Sequence, residues 1–263
     1  MAGGPTRDVG VVLRPISLGD TSKIVSVLTR EHGRVKLVAK GSRQINSRLG
    51  PLLEPGNELD LVFYPHRDRE LWTLKEAGLR RAALTGGGSL SKLSHLFAAL
   101  ELVDRLLPER ERVDDFGALV DGFLEAWHAH GDAVMPALFF AFEVQWLAGA
   151  GLGLDPFECA DCGDDLVGVA RAQFRVAEGS IVCEGCAATA GRWIDDPTLD
   201  ALRATVAAGL TGSSPRLVAL DAGARREVGR LLHDHMTFHL SDYRLPSSLY
   251  WSAPGRDAAS ERS

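Results

Sequence analysis

The sequence predicts a multidomain α+β protein: a five-stranded β-barrel at the N-terminus, an all-α domain behind it, and a small cysteine-bearing ribbon inserted among the helices. Three observations predict it. Through residue 82, short β-branched runs alternate apolar and polar residues and are parted by Gly- and Pro-containing turns. Beyond Gly86-Gly-Gly88 the apolar period changes to 3.6. Two Cys-x-x-Cys pairs, Cys159/Cys162 and Cys183/Cys186, interrupt the helical part. The expected division is 1–82 for the barrel, 83–155 and 193–252 for the helices, 156–192 for the ribbon, and a flexible tail over 253–263.

Asp8 to Ser17 (DVGVVLRPIS) reads as the first strand, with a proline near its end. Lys23 to Thr29 and Arg34 to Lys40 flank the break at His32-Gly33 and read as a hairpin. After a turn at Pro51–Gly56, Glu58 to Tyr64 alternates as a fourth strand; after the polar turn Pro65–Arg69, Glu70 to Glu76 gives a fifth. An OB-fold has that count, and so does a five-stranded SH3-like barrel.

Charge is distributed unevenly. The 263 residues carry a formal charge of −6, yet residues 1–81 hold 14 Lys and Arg against 9 Asp and Glu. The excess sits between Thr21 and Arg48, where Lys23, Arg30, Arg34, Lys36, Lys40, Arg43 and Arg48 face one acid, Glu31. Alternation sends Val35, Leu37 and Ala39 into the barrel and Arg34, Lys36, Val38 and Lys40 outward. Outward neighbours then stand about 6.5–7 Å apart, close to the spacing of successive phosphates on an extended strand. These seven cations are the candidate nucleic-acid contacts. A solvated edge strand guarded by lysines is the plainer alternative. The basic stretch holds no Phe, Tyr or Trp; Phe63, Tyr64 and Trp72 are the nearest rings. Contact through phosphates, with a steep salt dependence and little base preference, is therefore expected.

In the helical part, Ser89 or Ser91 can cap a first helix bearing Leu93, Leu96, Leu100 and Val103 on one side. Asp114 or Asp115 starts a second. Asp132 precedes an apolar run, Ala133–Leu154, whose Pro136, Glu143 and Gln145 mark a buried helix rather than a membrane span. Asp195-Asp-Pro197 starts another helix, and Asp221 to Leu240 is the last. MAGGPTRDVG has neither an apolar core nor a cleavage site, so no signal peptide is expected.

The two cysteine pairs are twenty residues apart and flank a plausible hairpin, Gln173–Val176 and Ser180–Val182 around Glu178-Gly179. That is a zinc-ribbon layout: four thiolates, one structural Zn²⁺ per chain, no open position for a substrate. A redox pair would sit at a helix start in a βαβ unit, and a zinc deaminase would carry HxE before its cysteines; neither is present. Iron–sulfur proteins use other spacings. His233, His235 and His239 read as ordinary residues of a helix face, and no phosphate loop or GxSxG elbow appears. No catalytic residue is assigned.

The motifs also carry a resemblance. Ile24 to Gly41 in its setting of Asp20-Thr-Ser-Lys23, Thr29-Arg-Glu-His-Gly33 and Val38-Ala-Lys-Gly41, then Ser47-Arg-Leu-Gly50, Leu53-Glu-Pro55, Leu152, the cysteine pairs and His239-Leu-Ser-Asp-Tyr-Arg-Leu-Pro-Ser-Ser248 resemble, in order, the bacterial RecO family of recombination mediators. The resemblance implies an N-terminal OB-fold, a helical domain with an inserted zinc ribbon, and no bond chemistry. It implies a cytoplasmic, nucleoid-associated repair mediator that binds single- and double-stranded DNA without sequence preference and anneals complementary strands. Its implied partners are RecR, with which it helps load RecA onto gapped DNA, and the tail of single-strand-binding protein, with no membrane and no small-molecule substrate. The competing expectation is a zinc-ribbon interaction scaffold that binds no DNA.

Overall fold

A computed structural model describes residues 4–66, 68–84, 88–111, 114–211 and 215–252. The expected tail 253–263, Gly86 and Gly87 of the glycine break, and Arg67 of the polar turn lie outside the described residues. The chain divides into two compact units, residues 1–117 with 246–263 and residues 118–245. The change from strand to helix thus precedes the change of unit.

The first unit holds a closed barrel of β1 (Thr6–Leu18), β2 (Ser22–Thr29), β3 (Gly33–Ala39), β4 (Glu58–Tyr64) and β5 (Leu71–Arg81), in the order β1-β2-β3-β5-β4. β1 pairs antiparallel with β2 and β4, and β4 with β5, while β3 meets β5 in parallel through Lys36↔Leu71 to Val38↔Thr73. That parallel closure gives an OB-fold and not a simple meander. The hairpin lies in the expected register, with Val35, Leu37 and Ala39 wholly buried beside Val27, Leu61 and Phe63. Each valine, leucine or phenylalanine among them contributes about 1.5–3 kcal/mol by leaving water.

β1 is longer than the sequence suggested. It pairs with β4 only as far as Val11, its register shifts between Val12 and Arg14, and it continues along β2 alone. Pro15 falls in this one-sided part, where a missing N–H costs the sheet nothing. The hairpin turn depends on Gly33, whose φ is +64°; a Cβ there would lie 2.1 Å from the Glu111 carbonyl oxygen. Left-handed backbone alone costs an L-residue about 1–2 kcal/mol. In the same unit, α1 (Leu90–Leu106) begins at Ser89, whose hydroxyl accepts from the Lys92 N–H at 3.0 Å.

The second unit, which takes in all but the first turn of α2 (Asp114–Ala129), packs it with α3 (Met135–Gly149), α4 (Asp196–Ala207), α5 (Ala222–His239) and a sheet ordered β7-β6-β8. Those strands are β6 (Arg171–Arg175), β7 (Ser180–Val182) and β8 (Arg192–Asp195). β6 and β7 form the expected hairpin; β8 is a third strand that the sequence did not suggest. Asp195 caps α4 by accepting from Thr198 N–H at 3.1 Å, and Asp221 caps α5 through Gly223 and Ala224. Among the described residues no helix is long and apolar enough to cross a membrane.

α3 is buried on nearly every side, and it carries Glu143 inward. Burial raises this carboxyl to about 8 from the usual carboxylate range. The unfolded chain gives up the proton from about pH 4.5 upward while the folded chain keeps it to about 8. The glutamate therefore subtracts from stability progressively as pH rises across that window. Glu143→Gln is expected to be near neutral at pH 5 and to stabilise by at least ~1 kcal/mol at pH 8, as denaturant midpoints at the two pH values will report.

Candidate functional site

Two sites emerge, one in each unit. In the second unit the Sγ atoms of Cys159, Cys162, Cys183 and Cys186 all lie within 4.8 Å of one another. None is in a disulfide, and Cys162 and Cys183 stand 3.8 Å apart. Tetrahedral thiolates at ~2.3 Å from a metal are separated by about 3.8 Å, so the group fits a metal ion.

The loops are built for it. Cys159 opens the first knuckle, its N–H donating to the Asp164 carbonyl at 2.8 Å while Gly163 N–H returns to the Cys159 carbonyl at 2.9 Å. Ala160 N–H docks the knuckle on the Ile181 carbonyl at 3.0 Å. Cys183 leads the second knuckle, a single 3₁₀ turn over Glu184–Cys186, and its N–H donates to Cys159 Sγ at 3.2 Å. Burial works to raise the Cys159 thiol, but N–H groups of Cys183, Cys162 and Asp161 prevail and hold it down at about 6. Cys162 and Cys186 are shifted upward instead, so one thiolate is preformed and a metal would displace the remaining thiol protons.

Arg175 and Arg203 support the site, and the sequence reading passed over both. Arg175, on β6, clasps the Asp161 carboxylate at 2.9 and 3.2 Å and donates to the Cys186 carbonyl at 2.6 Å, joining the two knuckles. Arg203, on α4, is 7% exposed and donates to the carbonyls of Pro156 and Leu166, which anchors the ribbon to a helix. An arginine in a short strand between two metal knuckles was the available signal for the first; only the fold brings the second near. Among the described residues the histidines of α5 do not join this group: His235 Nε2 donates to the Leu152 carbonyl at 3.0 Å, His239 Nε2 donates to that of Val176 at 2.8 Å, and His233 faces the Tyr243 hydroxyl.

In the first unit, the seven candidate cations fall into groups. Arg34 is only 11% exposed, and its Nε donates to the Leu107 carbonyl at 2.7 Å. Its guanidinium also faces Asp104 at 3.5 Å and Glu109 at 3.7 Å. Lys36 pairs with Glu109, Lys23 with Glu54 at 3.6 Å, and Arg30 with Glu58 at 3.1 Å. Partly exposed pairs of this kind are worth ~0–1 kcal/mol, so they do not lock a cation away.

Lys40, Arg43 and Arg48 differ. All three are exposed on the end of β3 and the loop that follows. Arg43 meets only the Gly19 carbonyl, and Lys40 and Arg48 have no partner among the described residues. The loop itself is ordered by Arg43 N–H to the Thr21 carbonyl at 2.9 Å and Ser42 hydroxyl to the Ala39 carbonyl at 2.8 Å. Two of the three nearby rings are not available as stacking platforms, and Tyr64 is half-buried. Phe63 and Trp72 are buried, stacked on each other at 5.4 Å, and the indole N–H is engaged by the His66 carbonyl.

Comparison with known proteins now decides the family. The model of the recombination protein O N-terminal domain matches residues 1–83, and that of its C-terminal domain matches residues 87–249. The chain belongs to the RecO family. It is 33% identical over 238 residues to the DNA repair protein RecO of Frankia casuarinae, covering 89% of this chain and 93% of that one. It is 32% identical over 237 residues to the RecO of Bifidobacterium longum subsp. infantis, with the same coverage, and 31% identical over 244 residues to that of Chloroherpeton thalassium, covering 88% and 92%. RecO is a family of DNA repair proteins and not of enzymes, and DNA repair is the role this membership gives the chain. The RecO barrel is thus the OB-fold that the motifs implied, and the RecO cysteines form a group able to hold a metal.

Proposed function

We propose that the chain is a recombinational repair mediator whose barrel grips the DNA backbone without reading bases. Lys40, Arg43 and Arg48 make the first contacts with phosphate, and Lys23, Arg30 and Lys36 extend the positive surface along the hairpin, while Arg34, held by Asp104 and the Leu107 carbonyl, adds its charge from within the fold. The observation that carries this is the presence of three exposed cations on one ordered loop while Phe63 and Trp72 are buried. Charge without stacking favours backbone contact. Held by its phosphates, a strand keeps its base edges free, and neutralising phosphate lowers the repulsion between two strands seeking register. Annealing of complementary strands follows from that, and backbone contact serves single- and double-stranded DNA alike.

We assign Zn²⁺ to Cys159, Cys162, Cys183 and Cys186, one ion per chain. When bound, the ion cross-links two knuckles that Arg175 already brings together; a closed four-thiolate site has no place for substrate. Four reduced cysteines suit a cytoplasmic, nucleoid-associated protein. Cooperation with RecR in loading RecA onto gapped DNA, and contact with the tail of single-strand-binding protein, complete the proposed role; both come from the family resemblance.

The test is direct. A labelled single-stranded oligonucleotide titrated with the purified chain in low salt should bind, and mixing complementary oligonucleotides with the chain should speed duplex formation. A chain that ignores both leaves a protein-binding scaffold as the better account.

A further inference from the structure

We infer that Glu109 is a built-in competitor for the nucleic-acid backbone, which must displace its carboxylate to gain Lys36. This rests on the polyanion binding proposed above and goes beyond it by naming the group that limits how much of the cation row is open.

The segment after α1 is laid along the edge of β3. β5 pairs with β3 only from Lys36 to Val38; at Arg34 the neighbouring backbone is that of Glu109, and Arg110 N–H donates to the Arg34 carbonyl at 2.8 Å. Gly33 allows the close approach of Glu111 that this alignment requires. The result is that an acid some seventy residues away in sequence places its carboxylate against both outward cations of β3, Lys36 directly and Arg34 at 3.7 Å.

The two acids here have different characters. Asp104 is 7% exposed and sits between Arg14 at 2.8 Å and Arg34 at 3.5 Å, while Arg34 is further fixed by the Leu107 carbonyl. This inner group is part of the fold. Glu109 and Lys36 are 27% and 34% exposed, in reach of water and of a ligand. A carboxylate and a phosphate offer an ammonium the same thing, a negative oxygen that accepts its hydrogen bonds. Exchange at Lys36 is therefore open, and exchange at Arg34 is not. The row acts in two tiers: Lys40, Arg43 and Arg48 stand open, and Lys36 joins when phosphate outcompetes Glu109.

The full chain and a fluorescein-labelled 30-nucleotide oligo(dT), followed by anisotropy over a NaCl series, test this. Glu109→Gln is expected to tighten binding about 3–10-fold at low salt and to steepen the log–log salt slope by about 0.7, the increment for one more phosphate contact on a single strand. Lys36→Gln should cost several-fold more affinity in the Glu109→Gln background than in the wild type, cancelling the gain that Glu109→Gln brings. Glu125→Gln, on the exposed side of α2, alters net charge equally and should leave affinity within twofold. Three results would overturn the inference in a chain that does bind: no change on Glu109→Gln, an equal gain from Glu125→Gln, or the same loss from Lys36→Gln in both backgrounds. Absence of binding by the wild type would bring down the polyanion reading itself, and this inference with it.

Discussion

Replacing Cys159 with serine is expected to cost the 118–245 unit about 3 kcal/mol or more, a fall of at least ~6 °C in its melting temperature. Cys159 is the most buried of the four thiols and receives the N–H of Cys183, so it is the ligand through which the knuckles meet. Structural zinc in isolated small domains contributes on the order of 10 kcal/mol or more to folding. Here the ribbon also leans on β6–β8 and on the Arg203 anchor, so the loss should be smaller than that. A strong chelator should produce the same shift in the wild type and none in the variant. Elemental analysis should find about one zinc per chain before chelation. Metal-free protein with an unchanged melting temperature would remove the metal from the account. Because the cysteines and the barrel belong to separate compact units, oligonucleotide affinity should change less than the melting temperature does.

The second large effect is on binding. Reversing Lys40, Arg43 and Arg48 together to glutamate should weaken single-strand affinity by at least ~100-fold at 50 mM salt. The same change should flatten the log–log salt slope by about 2, the value for three lost phosphate contacts. Loss should be similar for oligo(dT), mixed sequences and duplex, since backbone contacts position without specifying. The three side chains are exposed and bear no structural ion pair among the described residues, so the barrel should fold unchanged, as circular dichroism will show. A triple variant that binds like the wild type would move the interface elsewhere on the molecule.

How much of this was legible in the sequence depends on how local each feature is. The alternation from Arg34 to Lys40 fixes which residues enter the barrel, because one strand suffices to express a period of two. Ser89, Asp195 and Asp221 announce their helices because a cap is a contact over two or three residues. The cysteine pairs announce a metal group for the same reason. The barrel's strand order was not legible: five strands fit two topologies, and the parallel pairing of Leu37 with Trp72 that separates them is set by distant packing. β8 escaped because four residues with an exposed Trp193 are too short to show a period. The charge on the row was also misjudged by counting along the chain. Asp104 and Glu109 lie far from Arg34 and Lys36 in sequence and beside them in space, so a window over the hairpin sees seven cations and one acid where the fold shows several already partnered.

The central claim is that an N-terminal barrel holds polyanions by their charge alone. Equilibrium affinity of the unaltered chain for single-stranded oligonucleotides of different sequence, measured from 50 to 500 mM NaCl, tests it most directly. The prediction is a straight log–log plot with a slope of about −2 or steeper, one line serving every sequence. A flat plot, or affinities that separate by sequence, would contradict it.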